Sequence, residues 1–516
     1  MLPPYAPEPY VDFNQNEPRE KMLAALEKVR SELGRTYPLW IDGKAVTPRT
    51  TFDSVSPADP DRVIGTMGKA NTDLADQAIR SAAEAFKEWS RYDPDARARI
   101  LIKGAQIMRR RLYELAAWQC FEESKSWIEA YADVCEALDF LAFYGREMMR
   151  LAGSHPVTPF PGEENDLRYI PLGVGLVIPP WNFPLAICAG MTTAALVTGN
   201  TVVLKPASTA PVVAAKLVEI LHEAGLPKNV LNFLPGPGST VGDTLVCHPQ
   251  TRFISFTGSR EVGIGIFEKV AKVQPGQIWL KRTVLEMGGK DCIVVDETAD
   301  IAAAAEGVVA SAFGFQGQKC SACSRLIAHK NIYDDLLDRV VARASELTAG
   351  DTTTPENYFM GAVIDEPAHG KINEYIKIGK SEGRTVLGNG KVPSKGYFVP
   401  PTIIADVDPN ARIAQEEIFG PVLAVIKFKD FDEGLAIANG TEYGLTGALY
   451  SNDRSRLERA RREFHVGNLY LNRKCTGALV DVQPFGGFNM SGTDSKAGGR
   501  DYLQLFLQAK SITERW

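Results

Sequence analysis

The sequence predicts an α/β fold built on parallel sheets. From Tyr169 onward, short apolar runs alternate with stretches of helical periodicity. Alternation of this length places helices on both faces of a parallel sheet. The segment Phe256-Thr257-Gly258-Ser259-Arg260-Glu261-Val262-Gly263 follows one such run and opens a helix. At 516 residues the chain is too long for one core, so two or three domains are expected.

Taken in order, residues 16–33 are charged and helix-favouring, with Met22, Leu26, Val29 and Leu33 at three- and four-residue spacing. Residues 37–41 read as a strand running into a hairpin turn at Asp42-Gly43. A helix is expected over 72–89, with Ile79, Ala82, Phe86 and Trp89 on one face, and helical patterns continue to Met149. The Pro- and Gly-rich stretch 153–162 breaks that pattern and reads as an arm crossing between subunits. Residues 185–199 are apolar but contain three threonines and are too short to span a bilayer, so a buried helix is expected. Strands are expected at 175–178, 201–204, 230–234 and 252–256, separated by helices at 211–224, 239–247 and 261–273. A second α/β series begins near Glu286, with strands at 292–295, 325–328, 423–428 and 468–471 and helices at 301–314 and 333–347.

Composition is that of a globular protein, 45% hydrophobic and 23% charged, and a net charge of −6 argues against nucleic-acid binding. Met1-Leu2-Pro3-Pro4-Tyr5 lacks the basic and apolar regions of a signal peptide. Eight cysteines with no dense disulfide framework favour a reducing, cytoplasmic setting.

Cys320, in Gln318-Lys319-Cys320-Ser321-Ala322, is the candidate nucleophile. Upstream, Glu286 in Leu285-Glu286-Met287-Gly288-Gly289-Lys290 offers a water-activating base, and Asn182 in Pro180-Trp181-Asn182-Phe183-Pro184 offers an amide donor for an oxyanion. Together they suit acyl-thioester chemistry. Cys320 and Cys323 form a Cys-x-x-Cys spacing, but no second pair completes a zinc site and no thioredoxin-like context surrounds it, so no metal is expected. Gly258 and Ser259 sit either in a pyrophosphate cradle at a helix N-terminus or in an ordinary glycine-rich turn. Lys205, at the carboxyl end of a strand, either bonds ribose hydroxyls or is a solvated surface lysine.

These segments, with Leu204-Lys205-Pro206, Glu416-Glu417-Ile418-Phe419-Gly420-Pro421 and Pro484-Phe485-Gly486-Gly487, resemble the aldehyde dehydrogenase superfamily over nearly the whole chain. The stretch before Tyr37, Glu463-Phe464-His465-Val466-Gly467-Asn468-Leu469-Tyr470 and Thr476-Gly477-Ala478-Leu479-Val480 are similar to its branch acting on L-glutamate γ-semialdehyde. The resemblance implies an NAD-binding domain (1–148 and 170–285, with an N-terminal extension) and a catalytic domain (286–482). An oligomerisation arm built as a β-hairpin and a tail would take 149–169 and 483–516. It implies a homo-oligomer, dimeric or hexameric.

The resemblance further implies that Cys320 attacks the aldehyde, that Asn182 and the Cys320 N–H hold the oxyanion, and that Glu286 activates the water releasing the acid. Lys205, Ser208, Gly258, Ser259, Glu417, Phe419, Trp181 and Ile178 would contact NAD. Ser208 stands where many NAD-preferring relatives carry an acidic residue, so NADP would be tolerated. Ser321, Gly477 and Ala478 would anchor the substrate carboxylate, with Phe183 and Phe485 about its aliphatic part. The rival readings are a dehydrogenase of another aldehyde, a CoA-acylating enzyme, which would lack Glu286, and a non-catalytic protein that kept the fold.

Overall fold

The computed structural model describes residues 3–516; Met1 and Leu2, where the reading of the N-terminus begins, lie outside the described residues. Two seven-stranded sheets dominate. In the first, five parallel strands lie side by side: Arg282–Glu286, Thr251–Thr257, Val174–Ile178, Thr201–Leu204 and Leu231–Phe233. The chain starts in the middle, at Val174–Ile178, moves outward to one side, then returns to the other through Thr251–Thr257. Neighbouring connections therefore leave the sheet in opposite directions at the Val174–Ile178/Thr251–Thr257 boundary, which opens a crevice at the carboxyl ends of those strands.

The antiparallel hairpin Leu39–Ile41/Lys44–Val46 completes the sheet. Its turn residues, Asp42 and Gly43, both have positive φ (53° and 71°), which suits the right-handed twist of the strands.

The second sheet runs Arg384–Leu387, Thr402–Ala405, Val422–Phe428, Arg325–His329, Cys292–Val295, Thr446–Tyr450 and Asn468–Leu471, parallel except for its first strand. Its central strands are buried apolar runs, as a sheet covered on both faces requires. Helix Ala186–Val197 is buried apart from Ile187, as its composition predicts, and among the described residues no helix is long and apolar enough to cross a membrane.

Several elements depart from expectation for identifiable reasons. The first helix stops at Arg30, and Gly34 at φ 76° turns the chain away, so Leu33 packs from a loop. Pro38, with no N–H to give a ladder, divides the expected strand. Arg35–Tyr37 joins the small sheet with Asp59–Gly68 and Thr51–Ser56, while Leu39–Ile41 enters the large one. The helix expected at 239–247 begins as a π turn, Gly238–Gly242, before Asp243–Cys247 becomes α-helical.

Strand Glu163–Pro171 pairs antiparallel with Leu507–Arg515 as a separate two-stranded ribbon, mostly exposed. Residues 153–162 lead into it. The stretch 483–506 does not join the ribbon: Phe485 and Tyr502 line an internal cavity, and the Ser495 hydroxyl donates to Glu286.

Candidate active site

Cys320 is presented by a tight loop that follows helix Ile301–Phe313. Phe315, Gln316 and Gly317 successively take positive φ of 48°, 57° and 68°. Two non-glycine residues in that region are strained and must be held. The Gln316 side-chain amide does so, donating to the Ser124 and Ala362 carbonyls at 3.1 and 2.8 Å. At Gly317 a Cβ would lie 2.3 Å from the Gly420 carbonyl oxygen, so no side chain fits. The loop ends with Cys320 partly open and Cys323 buried, its thiol donating to the Arg325 carbonyl; Cys323 is a core thiol.

Two cavities meet at Cys320, sharing it with Ile187, Thr257 and Met287. One, about 1250 Å³ out to its mouth, lies in the crevice of the first sheet and is lined by Ile178, Trp181, Asn182, Gly258, Ser259, Glu417 and Phe419. Ser259 caps helix Arg260–Ala271, leaving the helix's positive end at the cavity. Glu417 accepts the Gly289 N–H at 2.9 Å, and Gly288 lets it approach: a Cβ there would stand 2.4 Å from the carboxylate. The Trp181 ring meets those of Phe315 and Phe419 edge-on at 6.3 and 5.7 Å.

Lys205 and Ser208 stand beside this cavity rather than in its wall, which Ala207 supplies. Lys205 is buried, not solvated, and burial lowers its ammonium to about 8. Ser208 is exposed. A helix N-terminus, a glycine-walled cleft and a carboxylate at a sheet switch point are what a dinucleotide requires.

The other cavity, about 1040 Å³, is lined by Phe183, Glu286, Cys320, Ser321, Gly477, Ala478 and Phe485. Asn182 is buried, and its amide donates one N–H to the Gln318 carbonyl at 3.0 Å, leaving the second free. Among the described residues, the Cys320 backbone N–H has no acceptor in the chain. Burial, reinforced by the negative charges of Asp291, Glu417 and Glu286, holds the Cys320 thiol well above its ordinary value. Burial also pushes the Glu286 carboxyl up to about 8, against the Ser495 hydroxyl, the Lys496 ammonium and the Gly487 N–H, which favour the carboxylate. A partly open nucleophile, an amide donor and a carboxyl poised near neutrality, set between two cavities, can form and hydrolyse a covalent acyl intermediate.

Residues 40–512 match the aldehyde dehydrogenase family model. The chain belongs to the aldehyde dehydrogenase family. It is 60% identical over 514 residues to the 1-pyrroline-5-carboxylate dehydrogenase of Geobacillus thermodenitrificans (strain NG80-2), covering 100% of both chains. A Thermus 1-pyrroline-5-carboxylate dehydrogenase solved with bound NAD superposes at a TM-score of 0.98, with 52% identity and 100% of each chain covered. Betaine aldehyde dehydrogenase from Staphylococcus aureus, in complex with NAD+, superposes at 0.89 with 29% identity over 96% of this chain and 97% of that one.

In this aldehyde dehydrogenase family member, several residues that the motifs do not single out shape the site. Helix Trp127–Leu151 presents Glu129, Asp133 and Glu136 to the second cavity. Their spacing of four and three places them on one face, a legible signal. Glu129 pairs with Lys319 at 2.7 Å. Asp133, buried, pairs with buried Lys125 at 2.5 Å and accepts the Ala186 N–H at 2.7 Å. Burial raises Glu136 to about 8. Lys125 also lies over the Phe183 and Phe315 rings, at 4.6 and 5.0 Å. Ser495, Lys496 and Tyr10 reach the site from distant positions without any local pattern.

Proposed function

We propose that this chain oxidises L-glutamate γ-semialdehyde, the open form of 1-pyrroline-5-carboxylate, to L-glutamate, with NAD as oxidant, in proline degradation. The reading is carried by the position of Cys320 at the junction of two cavities, one suited to a dinucleotide and one to a small charged aldehyde. The names of the relatives at 60% and 52% identity support the substrate. Bound NAD supplies the hydride acceptor; Ser208, lacking charge, leaves room for NADP.

Cys320 loses its proton to solvent water, and the thiolate sulfur bonds the aldehyde carbon as the carbonyl π pair moves to the oxygen. The second N–H of Asn182 and the Cys320 N–H receive the alkoxide. Loss of hydride from that carbon leaves a thioester on Cys320. Glu286, ionised, takes a proton from water as the water attacks the thioester, and the acid leaves with the thiol restored. Small residues and free N–H groups at Ser321, Gly477 and Ala478 suit the substrate carboxylate, while Phe183 and Phe485 suit its methylenes. Gly258, Ser259, Glu417, Phe419, Trp181 and Ile178 surround the cofactor, with Lys205 and Ser208 beside its cavity.

In the same reading 1–148 with 170–285 form the NAD-binding domain and 286–482 the catalytic domain. The segment 149–169 and, within 483–516, the strand from Leu507 form the arm of a cytoplasmic homo-oligomer, while 483–506 returns to the substrate cavity. A two-stranded ribbon is marginal alone and gains stability from a partner copy.

The test is Glu286→Gln. Mixed with NAD and pyrroline-carboxylate, it should release one NADH per site and stall, with intact-mass spectrometry finding the acyl adduct on Cys320. Sustained turnover would remove Glu286 from the mechanism. No NADH from the unaltered protein would remove the substrate.

A further inference from the structure

The segment before the first helix crosses the outside of helix Trp127–Leu151 as a strap with several ties. The Pro3 carbonyl accepts from Arg146 at 3.2 Å. The Tyr5 hydroxyl donates to the Val480 carbonyl at 3.3 Å, and its ring packs on Phe143 at 5.3 Å. The Glu8 N–H donates to Asp139 at 2.9 Å, while the Glu8 carboxylate accepts from Arg109 Nε and Nη2 at 2.9 and 2.6 Å. Phe13 is buried, its ring 5.7 Å from those of both Trp127 and Tyr131.

Between the ties at Glu8 and Phe13 stands Tyr10, in the wall of the cavity that holds Cys320 and Ser321. It is half exposed, and among the described residues its phenol has no hydrogen-bond partner in the chain. Nothing internal explains its side chain. Glu129 and Glu136 line the same wall, and Val480 closes the loop that carries Gly477 and Ala478. The strap thus runs between the wall that carries Glu129 and Glu136 and the loop of Gly477 and Ala478, to which the substrate carboxylate is assigned above.

We propose that residues 3–13 complete the substrate cavity and that Tyr10 is a specificity-determining residue, its ring walling the end that receives the amino-acid part of the aldehyde. This rests on the substrate reading above. A rim contact of this kind discriminates by enclosing a particular ligand end and excluding water there, so it acts on binding rather than on the chemical step.

The experiment compares steady-state kinetics of the unaltered protein, Tyr10→Ala, Tyr10→Phe and Glu8→Ala on glutamate γ-semialdehyde and on pentanal, which has the same chain length without the charges. Tyr10→Ala should raise KM for the semialdehyde about tenfold relative to pentanal, with kcat within about twofold, the discrimination expected of one apolar contact. Tyr10→Phe should match the unaltered protein, and Glu8→Ala, which frees the strap but keeps the ring, should shift KM in the same direction as Tyr10→Ala.

An unchanged KM ratio in Tyr10→Ala, or an equal loss on both aldehydes, would overturn the role of Tyr10. Loss of discrimination in Tyr10→Phe would overturn its assignment to the ring. Glu8→Ala with both KM values unchanged would overturn the strap. Absence of semialdehyde turnover in the unaltered protein, with pentanal still oxidised, strikes the substrate reading instead, before any variant is compared.

Discussion

Replacing Ser495 with alanine should move the pH dependence of deacylation without abolishing it. Burial pushes the Glu286 carboxyl up to about 8, and the Ser495 hydroxyl is the foremost of the groups opposing that push. A hydrogen bond to a charged group contributes about 1.5–3 kcal/mol, equivalent to about one to two pK units. Ser495→Ala therefore raises the pKa further, and because the base acts ionised, the rising limb of the rate moves to higher pH. With a shift of about one unit, the ionised fraction at pH 7 drops from roughly one in ten to roughly one in a hundred. Deacylation at pH 7 should slow about tenfold, while at pH 10 the loss should stay below about twofold. The assay forms the acyl-enzyme, then follows its decay by quenched intact-mass measurement from pH 6.5 to 10. A limb at the same pH as in the unaltered protein, or a uniform loss at every pH, would show that the Ser495 hydroxyl does not hold the Glu286 carboxylate.

Three other perturbations probe the same site. Asn182→Ala removes a free amide N–H beside Cys320 and should lower kcat by about 10²–10³ with the circular-dichroism spectrum unchanged. Ser321→Ala should raise KM for glutamate γ-semialdehyde more than for an unsubstituted aliphatic aldehyde, measured in parallel. Lys125→Met leaves Asp133 buried without its partner, which should destabilise the fold by about 3–5 kcal/mol and lower Tm; Lys125→Met/Asp133→Asn should recover part of that loss.

Much of the architecture was legible because it rests on local signals. The helices Thr72–Trp89 and Pro211–Ala224 and the strands Thr201–Leu204, Cys292–Val295 and Asn468–Leu471 run between the predicted residues. Each is bounded by its own caps, turns or change of period. Where expectation and structure part, a single residue decided: Pro38 split a strand between two sheets, and Gly34 ended a helix before Leu33. The nucleophile, carboxylate and amide were visible as short motifs, since each sits in a run whose residue types chemistry constrains.

Fold class, family and the chemical types gathered around Cys320 are written in the order of residues alone, because periodicity and motif spacing are local properties of the chain. Folding adds that Cys320 lies between two cavities, that Ser495 reaches Glu286 across more than two hundred positions, and that a strap from the N-terminus borders the substrate side. Those contacts join segments with no local pattern, and burial, which sets the Glu286 carboxyl near neutrality, exists only once the chain has closed around it.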